Sequence, residues 1–261
     1  MDELSRFRLD GRVALVAGGS GGIGVRLCAA LAGVGAKVAM IGRRAEPLEE
    51  TRGGVEAAGG EALALTGDMT RQADADRVVE EAMQRWGRVD ALVNAIGGGA
   101  GTALHPAESY PESEWDRIVD LNLRSQFLAS KAAARAMIAG GRGGRILNIS
   151  SVRGQLGIDN GFSAYVAAKG AMNALTRQHA TEWAKHGITV NAISPTFVRT
   201  PQVEDLLADE AFVEGLLKRI PLRRIAETDD LVGAVLFFCS DASSFCSGQV
   251  LTLDGGLTAT Q

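Results

Sequence analysis

Tyr165 and Lys169 stand four residues apart in the stretch Ser163 to Lys185, which reads as a helix with apolar residues at Val166, Ala167, Ala171, Ala174 and Leu175. Residues i and i+4 share a helix face, so the phenol and the ammonium project the same way. A free tyrosine titrates near pH 10, too high to exchange protons readily at neutral pH. A cation about 4 Å away favours the phenolate by roughly 4 kcal/mol at an effective dielectric near 20, or about three pKa units before desolvation opposes it. The spacing therefore predicts a general acid or base tuned by its neighbour. Ser151 precedes the tyrosine by fourteen residues and Asn122 lies further upstream, both able to share one polar site with it. The chain's other tyrosine, Tyr110, is followed four residues later by Glu114 and offers no such pair. An ordinary exposed helix pair is the alternative reading of Tyr165 and Lys169 taken alone.

A second constellation supplies a reaction partner. Gly18-Gly19-Ser20-Gly21-Gly22-Ile23-Gly24 follows the apolar run Val13–Ala17, where a strand would hand over to a helix. Glycines at 18, 22 and 24 permit a tight turn and a close backbone approach, and the helix N-terminus offers amides and a favourable dipole to a pyrophosphate. The next apolar run ends Ile41-Gly42-Arg43-Arg44. An acidic residue there would grip ribose hydroxyls and repel a 2′-phosphate; glycine followed by arginines suits a phosphate instead. NADP(H) is thus the expected cofactor, with NAD(H) as the second choice. The competing account has both arginines pairing with Glu46 or Glu49. Asp68, just past the third run, is placed to accept from an adenine amino group, or to act as a turn aspartate.

These motifs need a fold that brings them together. The chain has 261 residues, 46% of them hydrophobic, enough for one large α/β core. A net charge of −4 and the lack of a basic block exclude a nucleic-acid surface. Apolar stretches such as Ala234 to Cys239 are too short to span a bilayer, and the charged N-terminus does not read as a signal peptide. Cys28, Cys239 and Cys246 lack metal-ligand spacing and read as reduced thiols of a cytoplasmic protein. His105, His179 and His186 are scattered and read as surface residues, so no metal site is expected; Asp116 and Asp120 read as a solvated face.

Short apolar runs alternate with helical patterns. Strands are predicted at Val13–Ala17, Lys37–Ile41, Ala62–Thr66, Ala91–Ala95, Arg145–Ser150, Thr189–Ile193 and Val250–Leu253. Most are continuously apolar, as parallel strands covered on both faces must be. Helices are predicted near 22–34, 46–58, 72–86, 112–139, 163–186 and 227–240. The expected architecture is a single doubly wound, Rossmann-type domain over 1–261 with a parallel seven-stranded sheet. Two segments interrupt the alternation at carboxyl ends of strands, where ligands bind in such folds: Gly97 to Pro111, and the apolar segment 196–224, a candidate substrate lid.

From about Leu9 to Gly256 these residues resemble the short-chain dehydrogenase/reductase family, in its subgroup of about 250 residues. The resemblance implies a catalytic set of Asn122, Ser151, Tyr165 and Lys169, the last two also touching the cofactor. It implies cofactor contacts from Gly18, Ser20, Gly22, Ile23 and Gly24, and from Asp68, Met69 and Asn94. Pro195, Val198 and Thr200 would flank the nicotinamide. The tail Asp254-Gly255-Gly256 resembles one that packs at a tetramer interface, so a homotetramer is expected. Three positions depart from the family pattern: Ala17 for a threonine, Ala95 for a second asparagine, and Thr196 for a glycine. None removes a reacting group. Of the adjacent Ser150 and Ser151, strand alternation points one at the site, and Ser151 opens the Ser-Val-Arg-Gly run resembling the family's catalytic turn.

The expected chemistry is reversible hydride transfer between a carbonyl carbon and the cofactor. Tyr165 would pass the proton, Ser151 would bond the same oxygen, and Asn122 would position a water linking Lys169 to solvent. Gln155, Asp159, Asn160, Phe162 and Gln202 are candidates for the pocket wall. A sugar, polyol or dicarbonyl substrate is favoured through the Pro195-Thr196 step. The alternatives are a 3-oxoacyl thioester reductase, isomerisation or dehydration, and a nucleotide-sensing protein without turnover.

Overall fold

A computed structural model describes residues 3–98, 104–159 and 161–259. Seven strands form one parallel sheet in the order β3-β2-β1-β4-β5-β6-β7: β1 Val13–Ala17, β2 Lys37–Gly42, β3 Ala62–Thr66, β4 Ala91–Asn94, β5 Gly144–Ile149, β6 Ile188–Pro195 and β7 Val250–Leu253. The chain winds outward from β1 to β3 and then returns to β4 on the other side of β1. That reversal opens a crevice beyond the carboxyl ends of β1 and β4, where such sheets bind ligands.

Alternate strand residues feed two cores, one on each face. Val13, Leu15 and Leu92 pack with α3 (Gln72–Trp86), α5 (Ser125–Gly140) and α6 (Ser163–Trp183) through Val78, Met137 and Ala180. Ala14, Val16 and Val93 pack with α1 (Gly22–Gly33), α2 (Ala45–Ala57) and α9 (Asp229–Cys239) through Leu27, Leu48 and Phe238. This double coverage is why the strands read as unbroken apolar runs rather than as alternating ones. The free thiols of Cys28 and Cys239 lie in the second core, where burial raises each to about 12 and leaves it inert.

The helix expected over 112–139 is interrupted. It comprises α4 (Glu112–Val119), a π-helical turn over Asp120–Arg124, and α5. Wide turns of this kind alter the backbone ladder locally, and here the Asn122 side chain takes part, Nδ2 donating to the Ile118 carbonyl at 3.0 Å. The segment after β6 carries α7 (Glu204–Leu207) and α8 (Glu210–Arg219). Leu216, Ile220, Ile225 and Leu257 form a small separate core there, with Phe197 and Phe212 edge to face at 5.5 Å. The apolar face expected over this segment therefore divides: Phe212, Leu216 and Leu217 pack into that core, whereas Val203 and Leu206 face a cavity. No helix among the described residues is long and apolar enough to cross a membrane.

Candidate active site

β5, the turn after it and α6 bring Ser151, Tyr165 and Lys169 to one cavity of about 290 Å3. Ser151 caps a single 3-10 turn, Val152–Gly154, its hydroxyl accepting from the Arg153 amide at 3.1 Å. The same hydroxyl is in hydrogen-bonding reach of the Tyr165 phenol. Ser150 turns away: its Oγ donates to Asn173 Oδ1 at 2.7 Å and clamps the turn onto α6. One turn beyond Tyr165, Lys169 is buried and donates to the Ile149 carbonyl at 2.9 Å. Its Nζ sits over the Tyr165 ring, 5.7 Å from the centroid. Asn122 joins them through the loop after β4, since a side chain on Gly97 would lie 3.0 Å from Asn122 Oδ1 and 3.1 Å from Lys169 Nζ.

Two expectations about these groups need correction. The Tyr165 phenol is raised, not lowered: burial dominates, and the Ser151 hydrogen bond and the Arg153 guanidinium only partly offset it. Lys169 is itself pushed down to about 8 by burial, with no carboxylate nearby to hold its charge. The helix spacing placed both groups on one face but said nothing of how dry that face is. Asn122 is not free to hold a water with its side chain. Its Nδ2 donates to Gly98 and Ile118 carbonyls while Oδ1 accepts from the Gly98 amide at 2.8 Å, so it fixes the loop carrying Gly97 against the lysine.

At the far end of the cavity Gly21, Gly22, Ile23 and Gly24 form the wall. The turn is braced by backbone: Gly18 and Gly19 amides both donate to the Ile41 carbonyl, at 2.8 and 3.0 Å, so Ala17 needs no hydroxyl. Gly18 has φ 90°, and a side chain on it would meet the Ala95 carbonyl at 2.8 Å; one on Gly24 would collide with the Gly18 carbonyl oxygen. Gly21 at the N-cap supplies no side-chain hydrogen bond, so the first-turn amides of α1 are left for a ligand. Such a cradle, unclaimed donors at a helix start with backbone exposed by glycine, fits the pyrophosphate of a dinucleotide. Pro195, Val198 and Thr200 line the same cavity, with Thr200 packed over Gly22.

A second groove holds Arg43 and Asp68 together with Thr66, Gly67, Asp74 and Arg77. Arg43 and Arg44 are exposed and have no ion-pair partner among the described residues; Glu49 pairs with Arg52 at 2.6 Å instead. Ser20 approaches this edge, its Oγ 3.1 Å from where a side chain on Gly42 would begin. Asp68 Oδ1 accepts from the Thr70 amide and hydroxyl at 3.0 and 2.8 Å, a turn role that shares its carboxylate.

Other expected residues lie elsewhere. Asn94 is buried and outside the cavity lining, its Nδ2 donating to Ser130 Oγ and Asn148 Oδ1, both at 2.8 Å, so that it ties β4 to β5 and α5. Met69 has its side chain in the first core, leaving only its backbone for a ligand. Gln155 bonds Ser194 and Thr252 on β6 and β7, and Asp159 is exposed outside the wall; Asn160 lies outside the described residues. Phe162 and Gln202 do line the cavity, and a side chain on Gly98 would run into the Gln202 amide. His179 is buried and stacks on Trp183 at 4.2 Å, so it is a core residue and not a surface one. The residue that sequence reasoning missed is Arg153, 8% exposed and part of the wall. It sits inside the Ser-Val-Arg-Gly run, and the signal available was a charged residue in a turn that has to pack on α6.

A dinucleotide cradle facing a serine, a tyrosine and a lysine defines an NAD(P)-dependent oxidoreductase acting on CH–OH groups. The chain belongs to the short-chain dehydrogenase/reductase family. The family described as enoyl-(acyl carrier protein) reductase matches residues 17–258. Gluconate 5-dehydrogenase of Gluconobacter oxydans is 40% identical over 257 residues, covering 97% of each chain. The 2-dehydro-3-deoxy-D-gluconate 5-dehydrogenase of Escherichia coli is 37% identical over 98% of this chain and 99% of the relative. Among solved structures, a gluconate 5-dehydrogenase from Burkholderia cenocepacia J2315 in complex with NADP and tartrate superposes with a TM-score of 0.93 at 36% identity over 99% of each chain.

The dry setting of Lys169 has a measurable cost. Its folded value near 8 lies below the ordinary 10.5, so between those pH values the unfolded chain binds the extra proton. Without cofactor, the stability of wild type is expected to rise by about 3 kcal/mol relative to Lys169→Met as pH goes from 7.5 to 10.5, read by urea denaturation. A flat difference across that window would show the ammonium to be hydrated.

Proposed function

We propose that this chain interconverts a ketone and a secondary alcohol on a small sugar acid, with NADP(H) as its preferred cofactor. The single observation carrying the mechanism is the convergence of Ser151, Tyr165 and Lys169 on a cavity whose other end is the glycine turn. The substrate class is supported by the relatives that act on gluconate and deoxygluconate skeletons. The cofactor preference is supported by the solved relative that holds NADP and by the unpartnered arginines after β2.

When bound, the nicotinamide supplies or receives the hydride. The α1 N-terminus and its glycines would hold the pyrophosphate, and Pro195, Val198 and Thr200 would hold the carboxamide end. Tyr165 gives its proton to the carbonyl oxygen while Ser151 donates a second hydrogen bond to it. A phenol raised by burial is fully protonated at neutral pH, which suits ketone reduction; alcohol oxidation needs the phenolate and gains as pH rises. Lys169 supplies positive charge beneath the ring and binds the ribose. Segment 196–224 acts as the lid. A 3-oxoacyl thioester has less support, because the relatives that carry the substrate class act on gluconate skeletons.

Tyr165→Phe is expected to lower kcat for ketone reduction at least a hundredfold while NADPH still binds, as for loss of an oxyanion donor and the proton together. Loss of NADPH absorbance across a panel of ketoses, keto sugar acids and 3-oxoacyl thioesters reads both points; a variant retaining a tenth of the wild-type rate rules out the mechanism.

Arg43 meets a groove that also holds Asp68 and Asp74, so the gain from the 2′-phosphate is modest. Selectivity for NADPH over NADH in kcat/KM is expected at about tenfold, and Arg43→Ala should abolish most of it. Equal use of both cofactors by wild type would leave Arg43 as surface.

We also propose a homotetramer. Exposed large apolar side chains support it: Phe245 and Leu251 near and on β7, Trp115 on α4 and Phe127 on α5. Sedimentation equilibrium at micromolar concentration should give four times the chain mass of 27.3 kDa, and a monomer would reject the assembly.

A further inference from the structure

The cavity wall carries two buried cations, Arg153 and Lys169, and no aspartate or glutamate. Lys169 is accounted for by the reaction. Arg153 is not. Its NH1 donates to the Gly157 carbonyl at 3.1 Å, and no other side-chain hydrogen bond or ion pair holds it among the described residues. Burying a guanidinium without a carboxylate is unfavourable, because the charge loses water and gains no counter-ion. The nearest acid in sequence, Asp159, is exposed and outside the wall, and residues 99–103, Gly-Ala-Gly-Thr-Ala, contain none. Arg219 on α8 compounds the excess: it has no ion-pair partner either, and its charge opposes that of Arg153. A site that concentrates uncompensated positive charge beside the reacting hydroxyls is completed by an anion from the ligand.

Resting on the sugar-acid reading above, we infer that Arg153 is the specificity-determining residue that binds the substrate carboxylate and thereby aligns its carbonyl on Ser151 and Tyr165. The placement favours this. Arg153 follows Ser151 by two residues, its amide holds the Ser151 hydroxyl, and its charge acts on Tyr165. A planar fork can bind a carboxylate through two parallel hydrogen bonds, fixing orientation as well as affinity. The glycine turn at the start of α1 contributes other residues to the same wall and offers backbone amides rather than a guanidinium.

The test compares two ketones alike in every reacting atom: 5-keto-D-gluconate and its methyl ester, with NADPH. Wild type is expected to prefer the acid, and Arg153→Met to reduce the acid-over-ester ratio of kcat/KM by roughly tenfold to a hundredfold. Any effect of the lost charge on Tyr165 falls on both substrates and cancels in the ratio. Arg153→Lys, which keeps the charge without the fork, should fall between them. A ratio unchanged in Arg153→Met, with both substrates impaired alike, would make Arg153 a structural residue and overturn the inference. So would a wild type that favours the ester. If neither ketone is reduced, the proposed substrate class fails, and calorimetric binding of gluconate to the NADPH complex still decides the anion site: tighter in wild type than in Arg153→Met upholds it, and equal affinity rejects it.

Discussion

Lys169 Nζ donates to the carbonyl of Ile149, and this one bond joins the second turn of α6 to the last residue of β5 at the wall of the candidate site. A cation with 2% of its residue surface exposed has few ways to be tolerated. Here the carbonyl of Ile149, the Tyr165 ring and the glycine backbone at 97 surround it. Each of those neighbours is in turn constrained. Asn122 pins the Gly97–Gly98 backbone, Asn173 pins the turn after β5 through Ser150 and Gly154, and α6 must lie flat against both. The helix, the strand end and two loops are therefore one mechanical unit, and the Tyr165 phenol is carried on it.

That unit explains where side chains are forbidden. A β-carbon on Gly154 would lie 2.6 Å from Asn173 Nδ2 and 2.7 Å from the Lys169 carbonyl oxygen, which excludes a side chain there, whereas at Gly97 the approach is tight, 3.0 Å to Asn122 Oδ1 and 3.1 Å to Lys169 Nζ. Gly18 is different, with a positive φ as well as the close approach of Ala95. Glycine thus serves two separate purposes around this cavity: at Gly18 it permits the turn conformation, and at Gly154 it permits α6 to pack closely.

The sheet, its strand limits and the phosphate turn were legible from sequence because each follows from a local pattern: apolar runs of five or so residues, and glycines at a strand-to-helix junction. The spacing of Tyr165 and Lys169 was legible for the same reason. What was hidden depends on contacts far apart in the chain. The π turn at Asn122 arises from loop residues 97 and 98 and from Ile118, and nothing in Asp120-Leu121-Asn122 announces it. Asn94 reads as a polar residue at a strand end, yet its partners Ser130 and Asn148 come from a helix and a strand that sequence alone does not bring to it. The direction in which the Tyr165 phenol is moved was misjudged because charge can be read from a residue's neighbours along the chain, whereas desolvation is set by the whole fold.

The short parallel bridge between Val198 and Ala226, with Arg199 donating to the Ala226 carbonyl at 2.8 Å, fastens the segment after β6 at its start. The small core of Leu216, Ile220, Ile225 and Leu257 fastens it again beyond α8. Between those anchors only the stretch from Thr200 to about Leu207 lies across the cavity, and it contributes nothing to either main core. Mutation there can reshape the mouth of the site while the anchors preserve stability. Shape of the cavity and stability of the fold are thereby set by different residues of one continuous segment, and the first can be altered without touching the second.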